Sequence, residues 1–446
     1  MRSLVAAAAL ICLAVAPLHA QTPTPAPSTP TPLPAQPPPA RTFTLEEAVA
    51  AALEGQPQII ARLHDYEAAR YRVDQALAPL LPQLVGSWTA ARAQDVSTTS
   101  GLTFGGIGQE RTITNWRTST VARVTLSQLL FDFGKSFATV NFARRLADVA
   151  LEDIELQRQL IALAVKEAYT NMLFARRLIL VNQQALERAD LNLRSARGFF
   201  EVGTRPRSDV TRAEVDVANA RVDVIRARNA ERLARAALNV AIGLPADTAT
   251  DVIDNLAYQP VTLDARQLQR DAIRQRPEFR QARLQADSNE FLARRAFLDF
   301  FPDITGTGSY GATRADMNEI WELGLSLNWS LFDGGNRIAR YREARANLEA
   351  AKARVRAQEL EISREVEQAI ISVDETQERI QAAQVAVVSA QENFRLAQGR
   401  FDAGVGTILE LTDAQLALTQ AQNLETQALA DYRVALARLD RAVGRR

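Results

Sequence analysis

Trp321–Asn336 reads W-E-L-G-L-S-L-N-W-S-L-F-D-G-G-N. Trp321, Leu323, Leu325, Leu327, Trp329 and Leu331 share one face of a period-2 ribbon, and Glu322, Gly324, Ser326, Asn328 and Ser330 share the other. That alternation predicts a strand with one apolar and one polar face. Phe332-Asp333-Gly334-Gly335 breaks it, and a long helical sequence begins near Arg337. The strand fits an antiparallel sheet packed on a soluble core, or a transmembrane β-barrel with apolar side chains towards lipid. Trp321 and Trp329 lie eight residues apart, about 26 Å of strand. Tilted by ~40° this gives about 20 Å of height, close to the ~25 Å apolar band between aromatic girdles.

The chain has 446 residues and no net charge, with 52 Lys and Arg against 52 Asp and Glu. Nothing in that balance draws it to nucleic acid. An apolar run from Leu4 to Val15 behind Arg2 resembles a secretory signal over residues 1–20, too short for a membrane-spanning helix. Cys12, the only cysteine, lies inside that run, so a processed chain would carry no disulfide, thiol nucleophile or thiolate metal site. Residues 21–41 are Pro-rich and predict an extended spacer. Folding is expected to begin at Thr42, with Thr44 as an N-cap and Glu47 completing a capping box.

The chain then repeats itself. Gln56-Pro57 matches Arg276-Pro277, and Leu81-Pro82-Gln83-Leu84 matches Phe301-Pro302-Asp303-Ile304, both at an offset of 220. Leu130-Phe131-Asp132-Phe133-Gly134 matches Leu331-Phe332-Asp333-Gly334-Gly335 at 201, as do Phe200 to Gly203 with Phe401 to Gly404 and Ala241-Ile242-Gly243 with Ala442-Val443-Gly444. This is a tandem duplication, with repeats over 42–243 and 264–446 and a linker over 244–263. The fall from 220 to 201 gives the first copy 19 extra residues between Pro82 and Phe131. Each copy therefore predicts a β-hairpin, about 83–130 and 303–331, the first with a longer loop around Ser97–Thr114. Trp88, Trp116, Trp321 and Trp329, all the tryptophans present, fall in these hairpins, as membrane-interface anchors should.

After each hairpin comes helix. Lys135 to Phe200 and Arg337 to Phe401 hold no Pro, and no Gly before Gly198 and Gly399. At ~1.5 Å per residue each spans on the order of 100 Å. Val373, Ile380, Val387, Phe394 and Phe401 recur every seventh residue, with Ala383, Ala390 and Ala397 between them, a close-packed helical seam. Gln377, Gln384, Gln391 and Gln398 run beside it and fit a solvated surface or a water-filled interior. Turns at Gly203-Thr204-Arg205-Pro206 and Gly404-Val405-Gly406-Thr407 close two helical hairpins, 135–242 and 337–443. Shorter helices interrupted at Pro57 and Pro277 precede the strands.

Four strands cannot close a barrel, and an open edge in lipid leaves backbone groups unsatisfied. Three chains would supply twelve strands. The doubled L-F-D-x-G before a long helix, with F-x-x-G ahead of E-L-T-D-A (Phe401 to Ala414) or S-D-V-T-R-A (Ser208 to Ala213), resembles the TolC-like outer-membrane efflux proteins over Thr44 to Gly444. The resemblance implies a mainly α chain with a transmembrane β part. It would form a homotrimer in the outer membrane of a Gram-negative bacterium, its 12-stranded β-barrel continuous with a periplasmic α-helical barrel. It implies an exit duct without a cofactor, serving a periplasmic adaptor and an inner-membrane pump of the RND or ABC type. Phe131, Asp132, Gly134, Phe332, Asp333, Gly334 and Gly335 would form the junction of barrel and tunnel.

Glu410 and Asp413, three residues apart on one helical face, fit favourable charge near a helix N-terminus. By the resemblance they would instead ring the periplasmic entrance, with Asp209 as a further gate residue. A Tyr and an Arg that lock the tip in some family members correspond to Phe401 and Gly406, which lack the hydroxyl and the charge. Gly203, Thr204, Gly404 and Thr407 suit plain turn chemistry, and by the resemblance would contact the adaptor. His64 is the one histidine outside the leader, and no nucleophile, phosphate-loop or metal motif accompanies it; catalysis is not expected. A periplasmic coiled-coil adaptor without a pore is the alternative; it would explain the helical hairpins and the leader but not the duplicated amphipathic strands.

Overall fold

The computed structural model describes residues 41–100, 110–253, 255–313 and 319–446. The expected leader, the spacer as far as residue 40 and the tip of the first hairpin loop lie outside these. In chain order the elements are β1 (Arg41–Phe43), α1 (Leu45–Gly55), α2 (Pro57–Leu77), β2 (Gln83–Ser100), β3 (Glu110–Phe131), α3 (Lys135–Glu201) and α4 (Arg207–Ile242). The second copy follows with β4 (Thr250–Val252), α5 (Ala265–Gln275), α6 (Pro277–Leu298), β5 (Asp303–Thr313), β6 (Glu319–Asn328), α7 (Asn336–Asp402) and α8 (Ile408–Val443).

Strands β2-β3-β5-β6 form one antiparallel sheet in that order. The helices beneath keep the same order, α2 against α3, α3 against α6, and α6 against α7. Further from the sheet the row becomes α4-α3-α8-α7, so α3 and α7 run through both tiers. Register explains the alternation in the sequence. Leu327, Leu325, Leu323 and Trp321 stand opposite Ile304, Gly306, Gly308 and Tyr310. Gly308 and Tyr310 in turn oppose Leu126 and Val124, which oppose Leu84 and Gly86. Directly opposed residues share a face, so one apolar band crosses all four strands, with Leu323 82% exposed. The other face carries Ser87, Arg123, Thr125, Ser309 and Glu322, and there the Thr305 and Ser326 hydroxyls meet at 2.6 Å. Gly311 leaves no room for a side chain between β5 and β3: a Cβ there would come within 2.4 Å of the Ala122 carbonyl oxygen.

Two boundaries differ from the sequence reading. The extra residues of the first copy lengthen strands as well as a loop, since Ser97 pairs with Ile113 and Ser100 with Glu110. Strand β6 ends at Asn328, short of Trp329 and Leu331. Its partner β5 starts at Asp303, behind Pro302, which has no N–H to continue the ladder.

Where the tiers meet, each copy builds a core of its own. In the first, α1 lays Ala48 and Ala52 against Val165, Tyr169 and Leu238. In the second, α5 lays Leu268 and Ala272 against Val366, Val373 and Leu439. Strands β1 and β4 pair in parallel beside the first core, and the Tyr169 hydroxyl bonds to the carbonyls of Phe43 and Ile253, 3.1 Å each. Three-residue strands have too little periodicity to read, and the sequence reading assigns neither of these. The α1–α2 break at Gln56 and the α5–α6 break at Arg276 dock against the ends of α4 and α8, at Gly243 and Gly444, both with φ +92°. A Cβ on Gly444 would lie 3.0 Å from the Gln275 carbonyl carbon.

At this break the copies have diverged. Gln56 donates to the carbonyls of Val240 and Ala241. Arg276, 1% exposed, instead joins Glu278 (2.7 Å) and Glu365 (2.5 Å), and Arg441 bonds to the same two carboxylates. Burial pushes the Glu278 carboxyl up, but hydrogen bonds and charge from Arg276, with the charge of Arg441, hold it below its ordinary value. A carboxylate depressed in the folded state stabilises above its unfolded pKa, and that stability is lost as pH falls through the folded value. Thermal denaturation should therefore show a stability loss below about pH 4.5 that shrinks in Glu278→Gln. Arg276→Met, which leaves the two half-buried carboxylates only Arg441 as a partner, should cost about 1.5–3 kcal/mol.

Candidate functional site: tip turns and barrel junction

The two helical hairpins end in turns of the same design. Gly203 and Gly404 take φ +76° and +77°, a conformation that suits glycine. The Thr204 hydroxyl donates to the Phe199 carbonyl at 2.8 Å. Thr407 caps α8, its hydroxyl accepting from the Glu410 N–H at 3.2 Å.

Arg205 ties the two turns together, and the sequence reading missed it. Its guanidinium donates to the Gly406 carbonyl at 2.5 Å, lies 4.8 Å over the Phe401 ring and stands 3.8 Å from the Asp209 carboxylate. Phe401 is fully buried and meets Phe199 edge-on at 5.6 Å. Ile408, Leu411 and Ala414 complete a small core under the turns. Gly406 leaves no room for a side chain, since a Cβ would sit 2.9 Å from the Phe401 nitrogen. Arg205 precedes Gly406 by 201 residues, the repeat offset. The charge missing at Gly406 thus stands at the matching position of the other repeat, and that shared offset was the available signal.

Asp209 is engaged with Arg205, whereas Glu410 is exposed and lies 3.5 Å from Arg400. Asp413 is exposed one helical turn further on. Among the described residues no group of His, Cys, Asp and Glu is arranged to hold a metal ion.

At the opposite end of the long helices, L-F-D-x-G proves to be a capping device. Asp132 accepts from the backbone N–H of Gly134 (2.9 Å) and Ser136 (2.6 Å). Asp333 accepts from those of Gly335 (3.2 Å) and Arg337 (3.1 Å), and from the Arg337 side chain. The glycines permit the turn, with Gly134 at φ +94°, Gly334 at +67° and Gly335 at +87°. Each carboxylate satisfies N–H groups that a helix start leaves open. Burial raises the Asp132 carboxyl, but bonds from Ser136 and Gly134 and the Lys135 charge outweigh it and leave it lowered. Phe133 takes φ +57° where the second copy has glycine, and stacks on Phe301 at 5.1 Å. Phe131 packs edge-on against Phe133 at 4.7 Å, and Phe332 is 88% exposed.

The four tryptophans are exposed. Trp88 and Trp321 stand opposite Ala122 and Tyr310 on the apolar band. Arg92 covers Trp116 at 4.9 Å. Trp329 lies just past β6 and donates to the Phe300 carbonyl at 3.1 Å. No helix among the described residues is long and apolar enough to cross a membrane.

An open amphipathic sheet running directly into helices of 67 residues is the subunit plan of an outer-membrane channel-tunnel. The chain belongs to the outer membrane efflux protein family, whose model it matches over residues 48–244 and 268–445. It is 27% identical to the alkaline protease secretion protein AprF of Pseudomonas aeruginosa over 87% of this chain and 82% of that one. It is 22% identical to the outer membrane protein TolC of Escherichia coli, covering 87% and 79%. The fold matches that of the outer membrane protein VceC of Vibrio cholerae with a TM-score of 0.73 at 19% identity, over 90% of this chain and 96% of that one. Three such chains close a 12-stranded barrel in the Gram-negative outer membrane, above a periplasmic helical tunnel.

Replacing Arg205 with Ala removes a charge-assisted hydrogen bond worth about 1.5–3 kcal/mol and a cation–π contact worth ~0.5–2 kcal/mol. Single-channel conductance in planar bilayers should rise while the trimer persists on semi-native gels. Unchanged conductance in an intact trimer would remove the clasp as a closing element.

Proposed function

We propose that this protein is the outer-membrane exit duct of a tripartite efflux or type I secretion system. It conducts passively what an inner-membrane pump of the RND or ABC type and a periplasmic adaptor deliver. The observation that carries this reading is the in-line passage from an amphipathic sheet with two unpaired edges to a helical wall. The similarity to AprF, a protease secretion protein, and to the efflux-pump protein TtgC of Pseudomonas putida supports a duct used by either kind of system. A pore-free adaptor has no use for a sheet whose apolar face points outward.

The tips are the periplasmic entrance. Arg205 holds the two turns of one chain together, so any opening that parts these turns must break that clasp. Glu410 and Asp413 face the bore, where three copies place six carboxylates that favour cations. The exposed turns at Gly203, Thr204, Gly404 and Thr407 meet the adaptor.

The Glu410→Ala/Asp413→Ala double variant should raise conductance and weaken the preference for K+ over Cl−, measured as reversal potential in a salt gradient. Unaltered single-channel behaviour would rule out the gate assignment. Thr204→Glu or Thr407→Trp should impair export in a strain dependent on this duct while leaving trimers intact; full export would exclude the docking role.

A further inference from the structure

Along the α7–α8 hairpin, paired positions follow a fixed antiparallel register in which residue numbers add to 810: Arg400 meets Glu410 at 3.5 Å and Arg379 meets Asp431 at 2.7 Å. The second pair is three heptads from the first, about 31 Å along the helices. Supercoiled helices return the same face after whole heptads, so Arg379 and Asp431 lie on the face that carries Arg400 and Glu410. The seam between them is neutral, with Ala386 matched to Leu424 and Asn393 to Ala417 in this register.

Around the upper pair the structure has a groove of about 740 Å³ between α3, α7 and α8. Leu160, Leu163 and Val434 give it apolar walls. Glu375 accepts from Arg379 at 2.6 Å, and Glu167 accepts from the Arg438 Nε at 2.8 Å. Arg438 is 64% exposed by side chain and carries five N–H donors. The helical hairpin does not need these charges to fold: at the 201 offset the first copy has Phe174, Leu178, Ala230 and Ala237 in place of Glu375, Arg379, Asp431 and Arg438.

We propose that Arg379 and Arg438 belong to a second charged band inside the bore, and that they determine selectivity there by offsetting its carboxylates and admitting anionic groups of cargo. This rests on the reading of Glu410 and Asp413 as bore-facing. In the lower ring each chain sets two carboxylates, Glu410 and Asp413, against the single Arg400 guanidinium, and cargo carrying a carboxylate, phosphate or sulfonate is disfavoured there. At the upper band guanidinium groups stand among the carboxylates, so such a group finds a donor. The duct would thus filter by charge twice, with different rules at each level.

The test uses the full-length trimer in planar bilayers under a KCl gradient. Arg379→Gln/Arg438→Gln leaves the band's carboxylates without these counter-charges, and should raise the K+ to Cl− permeability ratio by about 3-fold or more. The same rise should occur in a Glu410→Gln/Asp413→Asn background. If the arginine variant leaves the ratio unchanged while the tip variant lowers it, the tip reading stands and the band is overturned. If neither variant moves the ratio, both fall. Should the arginine variant fail to assemble, a thiol decides the matter, because the chain has no cysteine beyond Cys12. Val434→Cys, treated with a charged methanethiosulfonate during conduction, should lose current. A thiol that reacts only after unfolding places Val434 outside the bore and overturns the band.

Discussion

Everything in this molecule answers to the backbone hydrogen bonds at the two edges of its sheet. Strands β2 and β6 are each paired on one side only, and their apolar band marks them for lipid, where an unpaired N–H or C=O costs several kcal/mol. No rearrangement within the chain removes both edges, because four strands are too few to close on themselves. Copies must supply the missing partners, so the barrel wall is not complete in any one chain. The helices inherit that requirement. Strand and helix follow one another in the same lateral order, so closing the sheet brings the outer helices of neighbouring chains together as well.

Much of this was legible in the sequence because it depends on period. Two-residue alternation announced the sheet, seven-residue spacing announced the seam at Val373, Ile380 and Phe401, and the constant offset announced the duplication. Turn chemistry was legible too, at Thr44, Gly203 and Gly404. What escaped depends on distance in sequence. Strands β1 and β4 are short and more than two hundred residues apart. The reach of Arg205 to Gly406 crosses the two copies, and no local pattern announces an arginine that serves a partner elsewhere. The L-F-D-x-G motif was legible as the junction of sheet and helix, while the carboxylate that caps the helix became evident only in the fold.

Divergence between the copies is where the duplicated plan acquires direction. A neutral amide holds one helix break and a buried ion cluster the other. One junction turns on two glycines and the other on a phenylalanine and a glycine, all in the left-handed region. One hairpin tip provides an arginine and the other provides the carbonyl that receives it. Each difference leaves the backbone plan intact and changes only which copy carries charge or bulk.

The unequal hairpins have an effect at the far end of the molecule. Strands β2 and β3 run for 18 and 22 residues, against 11 and 10 for β5 and β6. Around a closed trimer tall and short hairpins alternate, and the outer rim becomes a crown with three points and three notches. The residues gained between Pro82 and Phe131 therefore add height at that end, beyond the last β3–β5 pair at Val121 and Thr313, and leave the register nearer the helices unchanged.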